Sequence, residues 1–91
     1  MTVTYRFRIL TPSRQVLDED IVSMVAPGAA GYLGVLANHA PLLTTLMRGI
    51  LTVKTDQTEK SYRIDGGILR VAGNSAVLLS EEVEEVTPEP R

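Results

Sequence analysis

The chain has 91 residues, nine basic and eleven acidic, for a formal net charge of -2, and it contains no cysteine. That length holds one domain and not two. Disulfide stapling, thiol chemistry and thiolate metal sites are excluded, and the mild acidity speaks against general nucleic-acid binding, which needs a clustered basic surface.

A domain of this size buries only about two thirds of the surface its unfolded chain exposes, so its core is thin. The apolar fraction, 44%, is ordinary. No apolar run approaches the roughly 20 residues that span a bilayer as a helix. The opening MTVTYRFRIL interleaves basic and apolar residues, unlike a signal peptide, which orders them. Any membrane link is therefore expected to come through a partner.

Residues 2–10 alternate: Val3, Tyr5, Phe7 and Ile9 share one face, Thr4, Arg6 and Arg8 the other. This is the period of a half-buried strand. Thr11–Arg14 is turn material. Val16–Val25 reads as a second strand that turns apolar on both faces toward its end, as a strand entering a covered region does. Ala26–Ala30 reads as a loop with its turn at Pro27-Gly28. Leu33–Leu36 is a short apolar strand, and Asn38 suits a left-handed turn position. Leu42–Met47 reads as a strand or one helical turn. Arg48-Gly49 reads as a turn, and Ile50–Thr55 as a strand with Leu51 and Val53 on one face. After a polar hairpin loop at Asp56–Glu59, Lys60–Asp65 returns with Tyr62 and Ile64 inward. Gly66-Gly67 marks a bulge or a tight crossing. Ile68–Val71 and Ser75–Leu79 complete the strands. Val83 and Val86 suit a short edge, and Pro88 and Pro90 oppose a helix.

Short strands separated by polar turns predict an all-β, two-layer sandwich or flattened barrel of short antiparallel strands. Residues 1–86 form the domain and 87–91 a short flexible tail. The stretch Gly31–Met47 stands out. It is apolar, alternates poorly and carries the lone histidine, so it is expected to cross between layers and to offer a surface to a partner.

No catalytic constellation emerges. His39 has only Thr44 and Thr45 as nearby hydroxyls, and no second histidine to build a zinc shell. It reads as a loop histidine bonded to backbone, or as an interface residue. Asp18-Glu19-Asp20 lies on an extended strand, where successive carboxylates point to opposite faces and do not converge on one ion. Gly28, Gly31 and Gly34 are not followed by the Lys-Ser or Lys-Thr pair of a phosphate-binding loop. The residues alone point to a binding or structural module.

Two motifs carry a family resemblance. Val22, Val25, Gly28 and Gly31 lead into Leu33-Gly34-Val35-Leu36 and then His39-Ala40-Pro41-Leu42-Leu43-Thr44, with Leu46 and Gly49 after them. Tyr62, Ile64, Gly66-Gly67, Leu69 and Val71 follow, then Val77-Leu78-Leu79. In order and spacing the chain resembles the N-terminal β-domain of F-type ATP synthase epsilon subunits, the counterpart of the mitochondrial delta subunit, over residues 3–86. Three departures stand out. Ala37 replaces a proline, and Tyr32 replaces a polar or acidic residue. The third is that these 91 residues lack the helical hairpin that follows this domain in typical members, so its inhibitory and ATP-binding roles are not assigned to them.

The resemblance implies a non-catalytic rotor subunit without a cofactor, which fastens the gamma subunit to the c-ring so that ion flow is coupled to ATP synthesis or hydrolysis. It implies a peripheral position on the cytoplasmic face of a bacterial inner membrane, or the stromal face of a thylakoid. It implies ring contacts at Gly31, Tyr32 and His39, and gamma contacts at Arg6, Arg8, Ile68 and Arg70. A free-standing β-sandwich adaptor and a small hydrolase using His39 are the alternatives.

Overall fold

The period-two pattern becomes strands with alternately buried side chains in a computed structural model that describes residues 3–87. Eight strands follow one another: β1 (Tyr5–Leu10), β2 (Gln15–Ile21), β3 (Ser23–Gly28), β4 (Gly31–Leu36), β5 (Leu42–Lys54), β6 (Glu59–Ala72), β7 (Ser75–Leu79) and β8 (Val83–Val86). They form one sheet in the order β2-β1-β7-β6-β5-β3-β4, with β8 added to β6. The pairings are antiparallel except β1 with β7, which run parallel.

The two long strands make this sheet a sandwich. β5 and β6 stay paired from Leu42↔Val71 to Lys54↔Glu59. On its other edge β6 pairs with β8 over Ser61–Ile64 and with β7 over Ile68–Ala72. One layer therefore holds β2, β1, β7 and the Leu42 and Ala72 ends of the long strands. The other holds β8, the Lys54 and Glu59 ends, β3 and β4. The layers face each other without closing into a barrel.

Between the layers the buried parity changes in both long strands. Leu46 is buried, then Leu51 and Val53; Tyr62 and Ile64 are buried, then Leu69 and Val71. The change falls at Gly66-Gly67, with φ of 78° and 145°, conformations that a side chain opposes. The double glycine is thus a crossing, one of the two readings the sequence left open. Ser80, buried beside it, donates its hydroxyl to the Gly66 carbonyl at 2.7 Å.

Phe7, Ile9, Ile21, Met24, Val35, Leu51, Ile64, Leu69 and Leu78 fill the space between the layers. Tyr5 adds a polar tie: its hydroxyl donates to the Val35 carbonyl in the opposite layer at 2.7 Å. Burial pushes the Tyr5 phenol well above its usual range. At the rim, Lys60 Nζ donates to Glu19 Oε2 at 3.0 Å, joining edge strand β2 to the far layer.

Several boundaries differ from the sequence reading. Val16–Val25 is two strands, broken at Val22, because Ile21 is buried in one layer and Met24 in the other. Pro27-Gly28 belongs to β3, and the turn falls at Ala29-Ala30. Pro27 is tolerated there because the β3–β5 ladder is irregular between Val25 and Gly28. Arg48-Gly49 is not a turn but lies inside β5, held by continuous pairing with β6. Val3 is 59% exposed, not core. Within the central stretch β4 alternates after all, with Val35 buried and Tyr32 and Leu36 outward. Only Ala37–Pro41 is irregular, and it carries the chain between layers. Val83–Val86 docks as an edge strand; Pro88 and Pro90 lie outside the described residues.

A Cβ on Gly67 would stand 2.5 Å from the Leu79 carbonyl oxygen and 3.1 Å from Leu78 Cδ1. Gly67→Ala is expected to lower the unfolding free energy by about 3 kcal/mol. Gly73→Ala, also at positive φ but with open space around it, costs about 1 kcal/mol. Urea denaturation of both variants checks this, and equal losses would contradict it.

Candidate functional site

Among the described residues, the polar groups singled out from the sequence do not meet at one point. His39 sits in the loop after β4, half-buried, where its Nδ1–H donates to the Ala40 carbonyl at 2.7 Å. Its backbone N–H donates to Leu36 at 3.2 Å, and Asn38 before it takes φ 66°. The Thr44 hydroxyl is turned to its neighbour's carbonyl, Thr45 O, at 3.4 Å. No acid orients the imidazole among the described residues. No group of three or more His, Cys, Asp or Glu there is arranged to hold a metal ion. The acidic triplet splits by parity: Asp18 and Asp20 bond to Arg6 on the outer face, whereas Glu19 turns to Lys60.

A groove of about 660 Å³ runs beside β8, lined by Arg14, Arg48, Arg63, Asp65 and Glu84 among others. Two ion pairs cross it: Arg48 with Asp65 at 2.9 Å, and Arg63 with Glu84 at 2.7 Å. Glu81 and Glu82 also line it and form no ion pair among the described residues. Arg14 donates to the Val83 carbonyl at 3.2 Å. Its arginines are thus all engaged within the chain, which makes it a braced rim.

The residues singled out from the sequence fall on two outward surfaces. The first follows β4, at the end of the sheet path. Gly31, with φ 122°, turns the hairpin from β3. Tyr32 is 63% exposed and Leu36 64%. Tyr32 pairs with Pro27 across the ladder. A Cβ on Gly49 would meet Pro27 Cβ at 2.9 Å and the Tyr32 hydroxyl at 3.4 Å. The phenol therefore reaches across Pro27 toward bare backbone. Gly31 and Tyr32 lie at one end of β4 and His39 just past the other. A strand of that length spans about 17 Å, so the three residues share a line and not a point. Leu36, between them, stood in the motif but was not singled out as a contact; its parity with Tyr32 is the signal that could have found it.

The second surface is the outer face of the β1–β7–β6 layer. Arg8 pairs with Val77, Val77 with Arg70, and Arg70 with Leu43, which makes one row across four strands. Leu10, Leu79, Ile68 and Thr45 make the next. Leu43 is 72% exposed, and Ile68 and Leu79 about half so. Arg6 lies one row to the other side, opposite Ser75. The structure thus groups Arg8, Ile68 and Arg70 closely and sets Arg6 at the margin. Leu43 and Leu79 were missed from sequence, because their exposure depends on which strands neighbour them.

Arg6 is occupied. Its Nε donates to Asp18 at 2.6 Å, and Asp20 lies 3.5 Å from its Nη1. That bond from Arg6 holds the Asp18 carboxyl below its usual range and lifts the guanidinium. Among the described residues, Arg8 and Arg70 have no carboxylate within ion-pair distance.

Comparison with known proteins gives these surfaces a context. Residues 4–86 match the family model for the β-sandwich domain of the ATP synthase delta/epsilon chain. The ATP synthase epsilon chain of Pelotomaculum thermopropionicum is 41% identical over 81 residues, which are 89% of this chain and 60% of that protein. The chain thus spans about 60% of that relative's length. The epsilon chain of Caulobacter vibrioides is 40% identical over 79 residues, covering 87% of this chain and 92% of that one. In solved structures, a chain of the Euglena gracilis mitochondrial ATP synthase (OSCP/F1/c-ring) superimposes with a TM-score of 0.87 at 22% identity, over 93% of this chain and 55% of that one. A chain from the central stalk and c-ring of the Tetrahymena thermophila enzyme does so with 0.77 at 16% identity, over 90% and 66%. At those identities the superpositions speak for the fold.

Asp18 is a carboxylate whose pKa is lowered on folding. Its contribution to stability is present above the unfolded value of about 3.9 and is lost as pH falls through the folded value. Arg6→Gln should move the Asp18 midpoint up toward the ordinary range in a carboxyl NMR titration. An unmoved midpoint would contradict the pairing.

Proposed function

Because this chain belongs to the ATP synthase delta/epsilon chain family through its β-sandwich domain, we propose that it works as a central-stalk subunit. In that role it catalyses nothing. It fastens the gamma subunit to the c-ring, so that rotation driven by ion flow reaches the catalytic head. Its membrane association is indirect, through the assembled enzyme, on the cytoplasmic face of a bacterial inner membrane. The observation that supports this reading is the pair of separate exposed surfaces on one stiff body.

The ring contact runs along β4, from Gly31 and Tyr32 past Leu36 to His39. In this stretch of the chain no side chain is acidic or basic apart from the imidazole. Contact there depends on shape and on the Tyr32 ring more than on charge, which makes it insensitive to salt. The gamma contact uses the opposite layer, with Arg8, Ile68 and Arg70 at its centre and Arg6 at its edge. Packed interiors deform little and transmit strain, so a load applied at β4 passes through the core to β1, β6 and β7.

Tyr32→Ala combined with His39→Ala tests the ring contact in enzyme reassembled from its subunits. The double variant should fold normally, since both side chains lie outside the core. Retention on the ring and ATP-driven ion pumping should fall about tenfold or more, while gamma binding persists. Unchanged retention and pumping would overturn the assignment.

A further inference from the structure

Resting on the gamma assignment above, we infer that the outer face of the β1–β7–β6 layer takes an amphipathic helix of gamma carrying two carboxylates seven residues apart, with an apolar residue between them. The argument starts from the row Arg8–Val77–Arg70. Strands in a sheet lie about 4.8 Å apart, so the two arginine positions, two strands apart, are separated by about 9.6 Å. Both side chains are exposed, and neither has a carboxylate within ion-pair distance among the described residues. Val77, half-buried, lies between them.

The neighbouring arginine makes the contrast. Arg6, on the same face, is engaged by Asp18 and Asp20. Asp18 also stands opposite Arg8 in the ladder, but its carboxylate bonds to Arg6, so among the described residues the face forms ion pairs on Arg6 and none on Arg8 or Arg70. Beside them Leu43, Ile68 and Leu79 are exposed, an apolar surface that a partner desolvates. Two cations framing apolar residues call for two anions framing an apolar residue.

The spacing selects the partner's backbone. Residues i and i+7 of an α-helix lie on one face about 10.5 Å apart, with i+3 and i+4 between them. An extended strand offers one-face spacings of about 6.8 Å or about 13.6 Å, each further from the spacing of the arginine row than the helical repeat is. A helix running across the strands sets its carboxylates on Arg8 and Arg70 and its apolar residue on Val77. Its flank, about 10 Å wide, covers Ile68 and Leu79 in the next row.

The test uses the complete chain and the complete gamma subunit of the same enzyme, with affinity measured by calorimetry. Arg8→Glu with Arg70→Glu should weaken binding about a hundredfold. It should also flatten the loss of affinity seen in the unmodified chain between about 0.05 M and about 0.5 M salt. Arg63→Gln, which removes the partner of Glu84 on the other layer, should change affinity less than about threefold. A photo-crosslinker at position 77 should capture a gamma helix with Asp or Glu at i and i+7. Failure of the unmodified chain to bind gamma would overturn the gamma assignment itself. Binding that survives the double reversal, capture of a strand or of a segment without paired acids, or an arginine-dependent homodimer in sedimentation would overturn this inference alone.

Discussion

The structure depends on one constraint: two long strands must pass together from one layer of the sandwich to the other without losing their pairing. β5 and β6 do so at Gly66-Gly67, where the backbone takes positive φ and the Leu79 carbonyl lies too close for any Cβ. Ser80 ties the far side by bonding Gly66. With that crossing in place, β7 and β1 attach to one half and β8 and β3 to the other. The inner faces then meet around Phe7, Ile9, Leu51 and Ile64. Were the strands to end there instead, the layers would be joined only by loops, and a load on one would move it relative to the other.

Function follows from this continuity. The domain has one core and two outward surfaces, and the same two strands contribute to both layers. The charges on these surfaces are treated differently. Around β8 and around Arg6, cations and anions pair within the chain. Such pairs stabilise little in water, but they remove charge from faces where a partner would have to strip it. Arg8 and Arg70 keep theirs. Along β4, Tyr32 rests toward Pro27 and Gly49 and offers an aromatic surface instead. In the proposed role, a salt-dependent contact on one layer and a salt-independent one on the other would divide the labour of joining two different neighbours.

Much of the fold was legible wherever alternation acts locally. Tyr5, Phe7 and Ile9, then Leu51 and Val53, then Tyr62 and Ile64 are inward as their spacing implied. Gly66-Gly67 announced the crossing by its backbone freedom, and Asn38 its left-handed turn. Other features were hidden because tertiary pairing overrode local signals. Arg48-Gly49 has the composition of a turn, yet pairing with β6 carries the strand straight through it. Val22 has no breaker beside it, yet the chain changes layers there to bury both Ile21 and Met24. The parallel contact of β1 with β7 joins segments about 70 residues apart, beyond the reach of any window. For the same reason the sequence pointed to Arg8 and Arg70 singly, but not to their place in one row with Leu43. The motif residues at Gly31, Tyr32 and His39 were visible; that they lie in line along β4, with exposed Leu36 between, was not.

The central claim is that one continuous sheet holds two partners on two separate layers. Amide hydrogen exchange on the chain, free and within assembled rotor complexes, tests it most directly. With gamma alone, protection should rise in β1, β7 and the Ile68–Ala72 part of β6 and leave β4 unchanged. Adding the ring should then protect Gly31–His39. Protection of the same strands by both partners, or of β4 by gamma alone, would contradict it.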